Sequence, residues 1–441
     1  MNQKDETFRI SMRDFINGPY IKCPKCGKMS FGILGIYDHQ YSRRCRDCYY
    51  PHPSKNESSV VVQLPSLNKK VIYLDQLCIS EITKFLNPLT KAHQAGKVDH
   101  FWGVLFGKLD ELVKLQLIVC PDSDFHKHES LLAPFYDGLK RIYEHLSGGV
   151  SFYDYETIQR FQILRQLRKW LKEEDIRELN VHTITEGNIN AWQDRIYFSM
   201  QGYQSQDLID EIRSNREKVA DGIEKIFNRW QMEKNKDFSY WYSEERDAHA
   251  RLLASQHVQY MKNFLSAAFG LIPFHVGHFL HDMASTLFFE IKECLQKSGI
   301  IEDQLSEKLQ EFLLSEDFKN APHIVISSML HAAMARRAAL GRKRFPTRGY
   351  MTDVHIISTL LPYCDAMFID NESRSLLCEE PLNVEVARYK TRLFSISNRD
   401  ECLHFLDEIK FQASEDHCRA IREVYGDDWP KPYWEIFQGK T

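Results

Sequence analysis

Residues 71–76 read VIYLDQ, and residues 352–373 read TDVHIISTLLPYCDAMFIDNES. In each, a short apolar run of strand type ends in an aspartate, Asp75 in the first and Asp370 in the second. An apolar strand that closes on an acid is how an α/β sheet carries a carboxylate to the carboxyl edge of its strands, where open parallel sheets bind ligands. Three more acids lie at element ends: Glu129 in FHKHES (residues 125–130), Asp353 before VHIISTLL, and Asp365 at the start of the strand that Asp370 closes. Gathered carboxylates repel, by roughly 4 kcal/mol per pair at 4 Å and an effective dielectric of 20. Their company therefore predicts a hard divalent cation, Mg²⁺ or Mn²⁺.

Working outward, the pattern around these acids alternates strands with helices. Residues 77–115 carry helical periodicity, LQLIVCP is a second buried strand, and FHKHESLLAPFYDGLKRIYEHLSGG is a helix with a possible kink at Pro134, stopped by Gly148 and Gly149. From residue 151 to 320 strand signals vanish and apolar residues recur at three- and four-residue spacing, with charges on the other faces. The alternation resumes with HIVISSMLHAAMARRAAL (helix), TDVHIISTLLP (helix), DAMFID (strand), ESRSLLCEE (helix), RLFSIS (strand) and the helix DECLHFLDEIK. This order predicts an α/β fold, a mainly parallel sheet flanked by helices, interrupted by a large all-helical insertion. The expected divisions are 1–66, a Cys-rich module and polar linker; 67–150, the first half of the α/β domain; 151–320, the insertion; and 321–441, the second half.

In order and surroundings the acids resemble the PIN-like nuclease family. Its members begin with a strand ending in Asp, here VIYLDQ, place an acid in a following helix, and finish with an Asp opening a helix, a short strand and a last Asp. The closing part, Asp353 to Asp370 and Asn371, is the most specific stretch, and the likeness covers about residues 68–148 and 320–410. The resemblance implies a catalytic quartet of Asp75, Glu129, Asp353 and Asp370 that binds one or two metal ions to activate water against a phosphodiester, with Asp365 as an auxiliary ligand. It also implies nuclease activity, with single-stranded RNA as the favoured substrate and a role as a toxin or defence effector.

Each acid also has a plainer reading. Asp is a favoured helix cap, so Asp353 could cap VHIISTLL, although Thr352 offers a cap one position earlier. Glu129 in a first helical turn is favoured by the helix dipole, and Asp122 or Asp124 could take its place. Asp75 and Asp370 resist such a reading more, since a buried strand end carrying an unpaired acid is costly. Asp365 is as well suited to accepting structural hydrogen bonds as to holding metal.

Near the amino terminus, Cys23-Pro-Lys-Cys26 and Cys45-Arg-Asp-Cys48 form two CxxC knuckles with the spacing of a tetrahedral Cys₄ zinc site. The module resembles a zinc ribbon. Lys22, Lys25, Lys28, Arg43, Arg44 and Arg46 make it net positive, and Tyr37, Tyr41, Tyr49 and Tyr50 are placed to stack on bases. A second basic stretch, ARRAALGRKRFPTRGY, runs into Asp353; its Arg342, Lys343, Arg344 and Arg348 are candidates for holding substrate phosphates. His275, His278 and His281 with Asp282 could form a soft metal site if they shared a helix, but three-residue steps drift round a helix axis. His126 and His128 flank Glu129 and could touch phosphate.

Composition narrows the classes further. A net charge of −4 and 43% hydrophobic residues describe an ordinary globular chain, so nucleic-acid affinity must come from local patches. No apolar signal precedes a cleavage site, which makes the expected compartment cytoplasmic, where eleven cysteines favour thiols and metal ligation over disulfides. The most apolar stretch, residues 264–289, is broken by Pro273 and carries His275, His281 and Asp282, which argues against a membrane span. No Walker A loop, GxGxxG, GxSxG or HExxH occurs. The expected partners are nucleic acid, RNA above DNA, and a protein or second copy through the helical insertion. The rival expectation is a catalytically silent nucleic-acid-binding or scaffold protein on the same frame.

Overall fold

The computed structural model describes residues 11–51, 61–131, 133, 135–194, 206–273, 275, 279–343, 345–346 and 349–427. Strands β1 (Asn17–Lys22), β2 (Met29–Tyr37), β3 (Gln40–Cys45) and β4 (Val61–Gln63) form an antiparallel amino-terminal sheet in that order. The central sheet is built from β5 (Lys70–Leu74), β6 (Ile118–Val119), β9 (Ala366–Phe368) and β10 (Arg392–Phe394), all parallel, in the order β10-β9-β5-β6. Between them the chain makes a two-stranded antiparallel pair, β7 (Ser151–Phe152) with β8 (Thr185–Glu186).

Five helices fill the first half: α1 (Gln76–Leu86), α2 (Lys91–Gln94), α3 (Phe101–Lys114), α4 (Asp124–Leu131) and α5 (Tyr136–Ser147). The next six are α6 (Tyr155–Trp170), α7 (Gln206–Met232), α8 (Phe238–Ala268), α9 (Met283–Lys297), α10 (Glu302–Leu314) and α11 (Glu316–Lys319). The last six are α12 (Pro322–Ala339), α13 (Tyr350–Leu360), α14 (Asn371–Leu377), α15 (Leu382–Tyr389), α16 (Arg399–Phe411) and α17 (Glu415–Tyr425). Their ends carry the expected punctuation. Asp154 caps α6 by accepting from the Thr157 amide at 2.8 Å, Pro322 opens α12, and Gly148 closes α5 at φ +57, in the left-handed region.

The alternation of side chains along β5 makes the sheet two-faced. Ile72 and Leu74 point with Phe368 and Phe394 into a core built on α1, α3, α5 and α16. Val71 and Tyr73 point the other way, with Met367 and Ile369, into a core built on α12, α13 and the insertion's Phe227, Trp230 and Trp241. The insertion therefore covers one face of the sheet, and it also has a core of its own around Leu287, Ile291, Leu305 and Phe312. Among the described residues, no helix is long and apolar enough to cross a membrane.

Three expectations need correction. The stretch 151–320 is not wholly helical, because β7 and β8 pair within it. The single kinked helix expected from Phe125 is two helices, α4 and α5. Beyond residue 170 the chain also returns to the amino-terminal module: the Trp192 amide donates to the Asp38 carbonyl at 2.9 Å and its indole N–H to the Pro65 carbonyl at 2.8 Å. Trp192, Ile421, Val424 and Tyr425 pack there against Ile33, Ile36 and Tyr41. The linker expected at 51–66 lies partly outside the described residues, but β4, on its far side, adds to β3, so the module is fastened to the body by a shared core.

Candidate functional site

Strand order decides where a ligand can sit. From β5 the chain moves to β6 on one side and then returns to β9 on the other, so the direction of winding reverses between β5 and β9. The crevice outside the carboxyl ends of two such strands is the usual ligand position of an open parallel sheet. Asp75 directly follows β5, and its amide donates to the Phe368 carbonyl of β9 at 2.9 Å. Asp370 lies two residues past β9 and caps α14, its Oδ1 accepting from the Glu372 and Ser373 amides at 2.7 and 3.1 Å. The two strands thus deliver both acids to one crevice.

Helices supply the other two. Asp353 sits in the first turn of α13, which begins at Tyr350, so it is inside the helix and not its cap, as the plainer reading had it. Glu129 belongs to α4. The electrostatics tie all four together. Burial pushes the Asp75 carboxyl up to about 6, with Glu129 and Asp370 adding to the rise and His126 and the Leu77 amide opposing it. That amide makes no capping hydrogen bond of normal geometry with Asp75, so its influence is weak. Burial pushes Asp353 further, up to about 9, and the charges of Asp75, Asp370, Glu129 and Glu372 add to it. Of the rival acids, Asp122 accepts the Ser123 amide at 2.7 Å and Asp124 pairs with Lys127 at 3.0 Å, which leaves Glu129 as the α4 carboxylate that acts on Asp75 and Asp353.

Beside the acids lies a residue the sequence reading passed over. Tyr73 is fully buried, and its hydroxyl has no hydrogen-bond partner. Burial, followed by the charges of Asp75, Glu129 and Asp353, holds that hydroxyl in its neutral form. Its ring stacks on His126 at 5.1 Å, and the His126 Nε2 proton is donated to the Leu74 carbonyl at 2.8 Å. His126 is therefore buried structure and not the phosphate contact considered for it, whereas His128 is exposed. A tyrosine two positions before a strand-end acid was the available signal.

Not every expected residue joins. Asp365 lies at the amino end of β9, opposite Asp370, where it accepts from Lys70 Nζ and the Val71 amide, both at 2.8 Å. A three-residue strand separates the two acids, so they flank opposite edges of the sheet, and Asp365 locks β9 to β5 in place of binding metal. In the basic stretch, Arg336 and Arg337 clamp Glu379, Arg342 pairs with Glu372, and Lys343 is exposed; Arg344 and Arg348 lie outside the described residues. The histidine set does not share a helix. Asp282 caps α9 through the Ser285 amide at 2.7 Å, His281 precedes that helix, and His278 lies outside the described residues.

The donor set fits a divalent cation chemically: four carboxylates of hard oxygen, two of them pushed toward protonation by burial and by neighbouring carboxylates, beside a tyrosine hydroxyl without a hydrogen-bond partner. Among the described residues no three of the carboxylates come within 4.8 Å of one another. They do not close on a point, an arrangement compatible with Mg²⁺, which commonly keeps several of its waters.

The cysteine cluster is closed. Sγ of Cys23 and Cys48 lie 3.7 Å apart, those of Cys26 and Cys45 3.6 Å, and all four fall within 4.8 Å. A tetrahedron with zinc–sulfur bonds of about 2.3 Å requires sulfurs roughly 3.8 Å apart. Gly27, at φ +71, supplies the turn after the second thiol, and the Ser30 hydroxyl lies 3.1 Å from Cys45 Sγ. Of the side chains considered for base contacts on this module, Tyr41 is buried against Glu423, and Arg43 is buried with bonds to the carbonyls of Pro19, Phe31 and Glu423. Those two hold the module to α17.

Compared with known protein families, curated proteins and solved structures, the chain matches none.

Two outcomes follow from these centres. Protein purified without chelator should carry about one equivalent of zinc by elemental analysis, and a Cys23→Ser, Cys26→Ser variant should lose it; zinc-free wild-type protein, or an unchanged content in the variant, would refute the Cys₄ site. The second concerns Asp353. Its folded-state value near 9 lies above the ordinary 3.8, so between those limits the folded chain holds a proton that the unfolded chain has released. Stability contributed by that proton is complete below about 3.8 and is lost as pH rises toward 9. In buffer free of Mg²⁺ and Mn²⁺, Asp353→Asn should melt a few degrees above wild type at pH 8, with the gap closing toward pH 5. A variant that melts below wild type at pH 8 would contradict the burial of this charge.

Proposed function

We propose that the chain is a Mg²⁺- or Mn²⁺-dependent nuclease that hydrolyses phosphodiester bonds, with Asp75, Glu129, Asp353 and Asp370 holding the cation and single-stranded RNA as the favoured substrate. The observation that carries this reading is the mutual electrostatic influence of carboxylates brought from β5, α4, α13 and the β9–α14 junction to the switch point of a parallel sheet. Acids buried together, whose charges push one another toward protonation, favour a bound cation.

When bound, the cation would supply Lewis acidity at the phosphoryl oxygen and lower the pKa of a coordinated water. The chain's own groups do the rest. Asp353 releases its proton on ligation, and Asp75 and Asp370, fixed to adjacent strands, hold their oxygens in register. The buried Tyr73–His126 stack gives the acids a rigid floor. Lys343 is exposed to meet phosphates, and Arg342 lies against Glu372, so an incoming phosphate competes for its guanidinium. The preference for RNA, and a place as a toxin or defence effector, rest on the resemblance to PIN-like nucleases.

One observation favours the rival, a nucleic-acid-binding scaffold without catalysis: among the described residues no three of the carboxylates meet within 4.8 Å. Incubation with labelled single-stranded RNA and DNA in Mn²⁺ or in EDTA separates the two. The nuclease reading expects metal-dependent fragments, and a loss of at least about a hundredfold in Asp75→Asn, the scale of removing a group that stabilises charge in the transition state. Retained RNA binding with no cleavage, or full activity in Asp75→Asn, would leave the scaffold reading in its place.

A further inference from the structure

Apart from the acids, α6, α7, α8, α12 and α13, with Met283 at the start of α9, line a cavity of about 490 Å³ that none of the four carboxylates lines. That volume is within the range of small-molecule sites, about 300–1,000 Å³. Aromatic and apolar side chains form much of its wall, including Trp230, Tyr155, Tyr350, Ile163 and Leu253. Its polar lining is unusual in having no lysine and no arginine. It is instead furnished with four histidines, His249, His323, His331 and His355, and with the amides of Gln159 and Gln256.

These histidines and two lining carboxyls are shifted toward their neutral forms. Burial, followed by the neighbouring His355, lowers His249 to about 4. Burial, with His249 and His355 behind it, lowers His331 to about 3 and holds His323 well below the ordinary imidazole range. Burial also raises the carboxyls of Glu156 and Glu245, which share the lining. Most of the histidines have partners: His249 Nε2 meets the Ser327 hydroxyl at 3.1 Å, His323 Nδ1 meets Gln162 at 3.0 Å, and His331 Nδ1 is 3.4 Å from the Tyr350 hydroxyl. Two groups stand out. Gln159 is only 8% exposed, yet among the described residues its amide makes no hydrogen bond, and neither does the imidazole of His355, whose ring lies 5.0 Å from that of Tyr155.

We infer that this cavity is a binding site for an uncharged nucleobase or nucleoside, recognised along its edge by the Gln159 amide and the His355 imidazole and stacked on the aromatic wall. A primary amide offers a donor and an acceptor side by side, the pattern by which Gln pairs bidentately with adenine. Aromatic side chains stack on any base. Among the described residues no lysine or arginine lines the cavity, which favours a nucleoside over a nucleotide. Occupancy needs no catalysis, so the site stands or falls apart from the nuclease reading.

Titration calorimetry of the full chain with adenosine, guanosine, cytidine and uridine, and with adenosine 5′-monophosphate, tests it. At least one nucleoside should bind. Its affinity should fall about tenfold or more in Gln159→Leu and in His355→Phe, which keep volume while removing polar atoms, and the monophosphate should bind at least about tenfold more weakly than adenosine if adenosine is the ligand. Ala248→Phe, which fills the cavity from α8 and removes no polar group, should abolish binding, with an unchanged circular dichroism spectrum certifying the fold. No heat with any nucleoside at up to about 1 mM, or affinity untouched by all three substitutions, would overturn the assignment.

Discussion

The constraint on which the carboxyl edge of the sheet turns is negative charge brought close together by separate elements. The parallel pairing of β5 with β9 sets Asp75 and Asp370 at one crevice, and the Asp75 amide is bonded to the last residue of β9, so neither acid can retreat without breaking the sheet. α13 then brings Asp353 and α4 brings Glu129. Burial, followed by the charges of the neighbouring carboxylates, raises the cost of ionising Asp75 and Asp353 and pushes Asp353 up to about 9. Such a site is metastable chemically while rigid mechanically. A divalent ion would turn the same repulsion into ligation.

The rigidity comes from layers. One face of the sheet rests on α1, α3, α5 and α16 and the other on α12, α13 and the helical insertion, so β5, β6 and β9 are buried on both sides, as is usual for parallel strands, while the edge strand β10 leaves Arg392 exposed. The insertion contributes Phe227, Trp230 and Trp241 to the core beneath the acids, and it also creates the histidine-lined cavity next to α13. The amino-terminal module, for its part, is joined to the body through Trp192 and α17. Insertion and module both pack on the frame that positions the acids.

How much of this the sequence disclosed depended on range. VIYL and AMF announce themselves because short runs of strand-forming apolar residues bounded by polar ones have few other fates, and an acid at their end fixes which edge it occupies. The paired CxxC knuckles were equally legible, since their ligands are near neighbours in sequence and four thiols within 4.8 Å follow from two tight turns. Asp365 was legible as the acid at the opposite end of that strand, but its partners, Lys70 and the Val71 amide, lie 295 and 294 positions away, so its structural role could not be told from ligation. Arg43 and Tyr41 read as a nucleic-acid face but are buried by α17, a contact across more than 370 positions that no local pattern carries. Tyr73 was hidden for the opposite reason: in the string it is one more apolar residue of a strand, and only its unpartnered hydroxyl reveals it. The cavity draws on six helices at once, and its polar residues, read singly, resemble ordinary helix-face residues.

Binding of Mn²⁺ to zinc-replete protein, followed by electron paramagnetic resonance as loss of the free-ion signal, is the most direct measure of whether the crowded acids are a cation site. The account predicts one or two bound ions per chain in wild type, affinity that increases from pH 6 to pH 9 as the Asp353 proton is displaced more easily, and loss of binding in an Asp75→Asn, Asp353→Asn double variant. Free Mn²⁺ that remains unbound at up to about 1 mM, or binding that survives the double substitution, would contradict it.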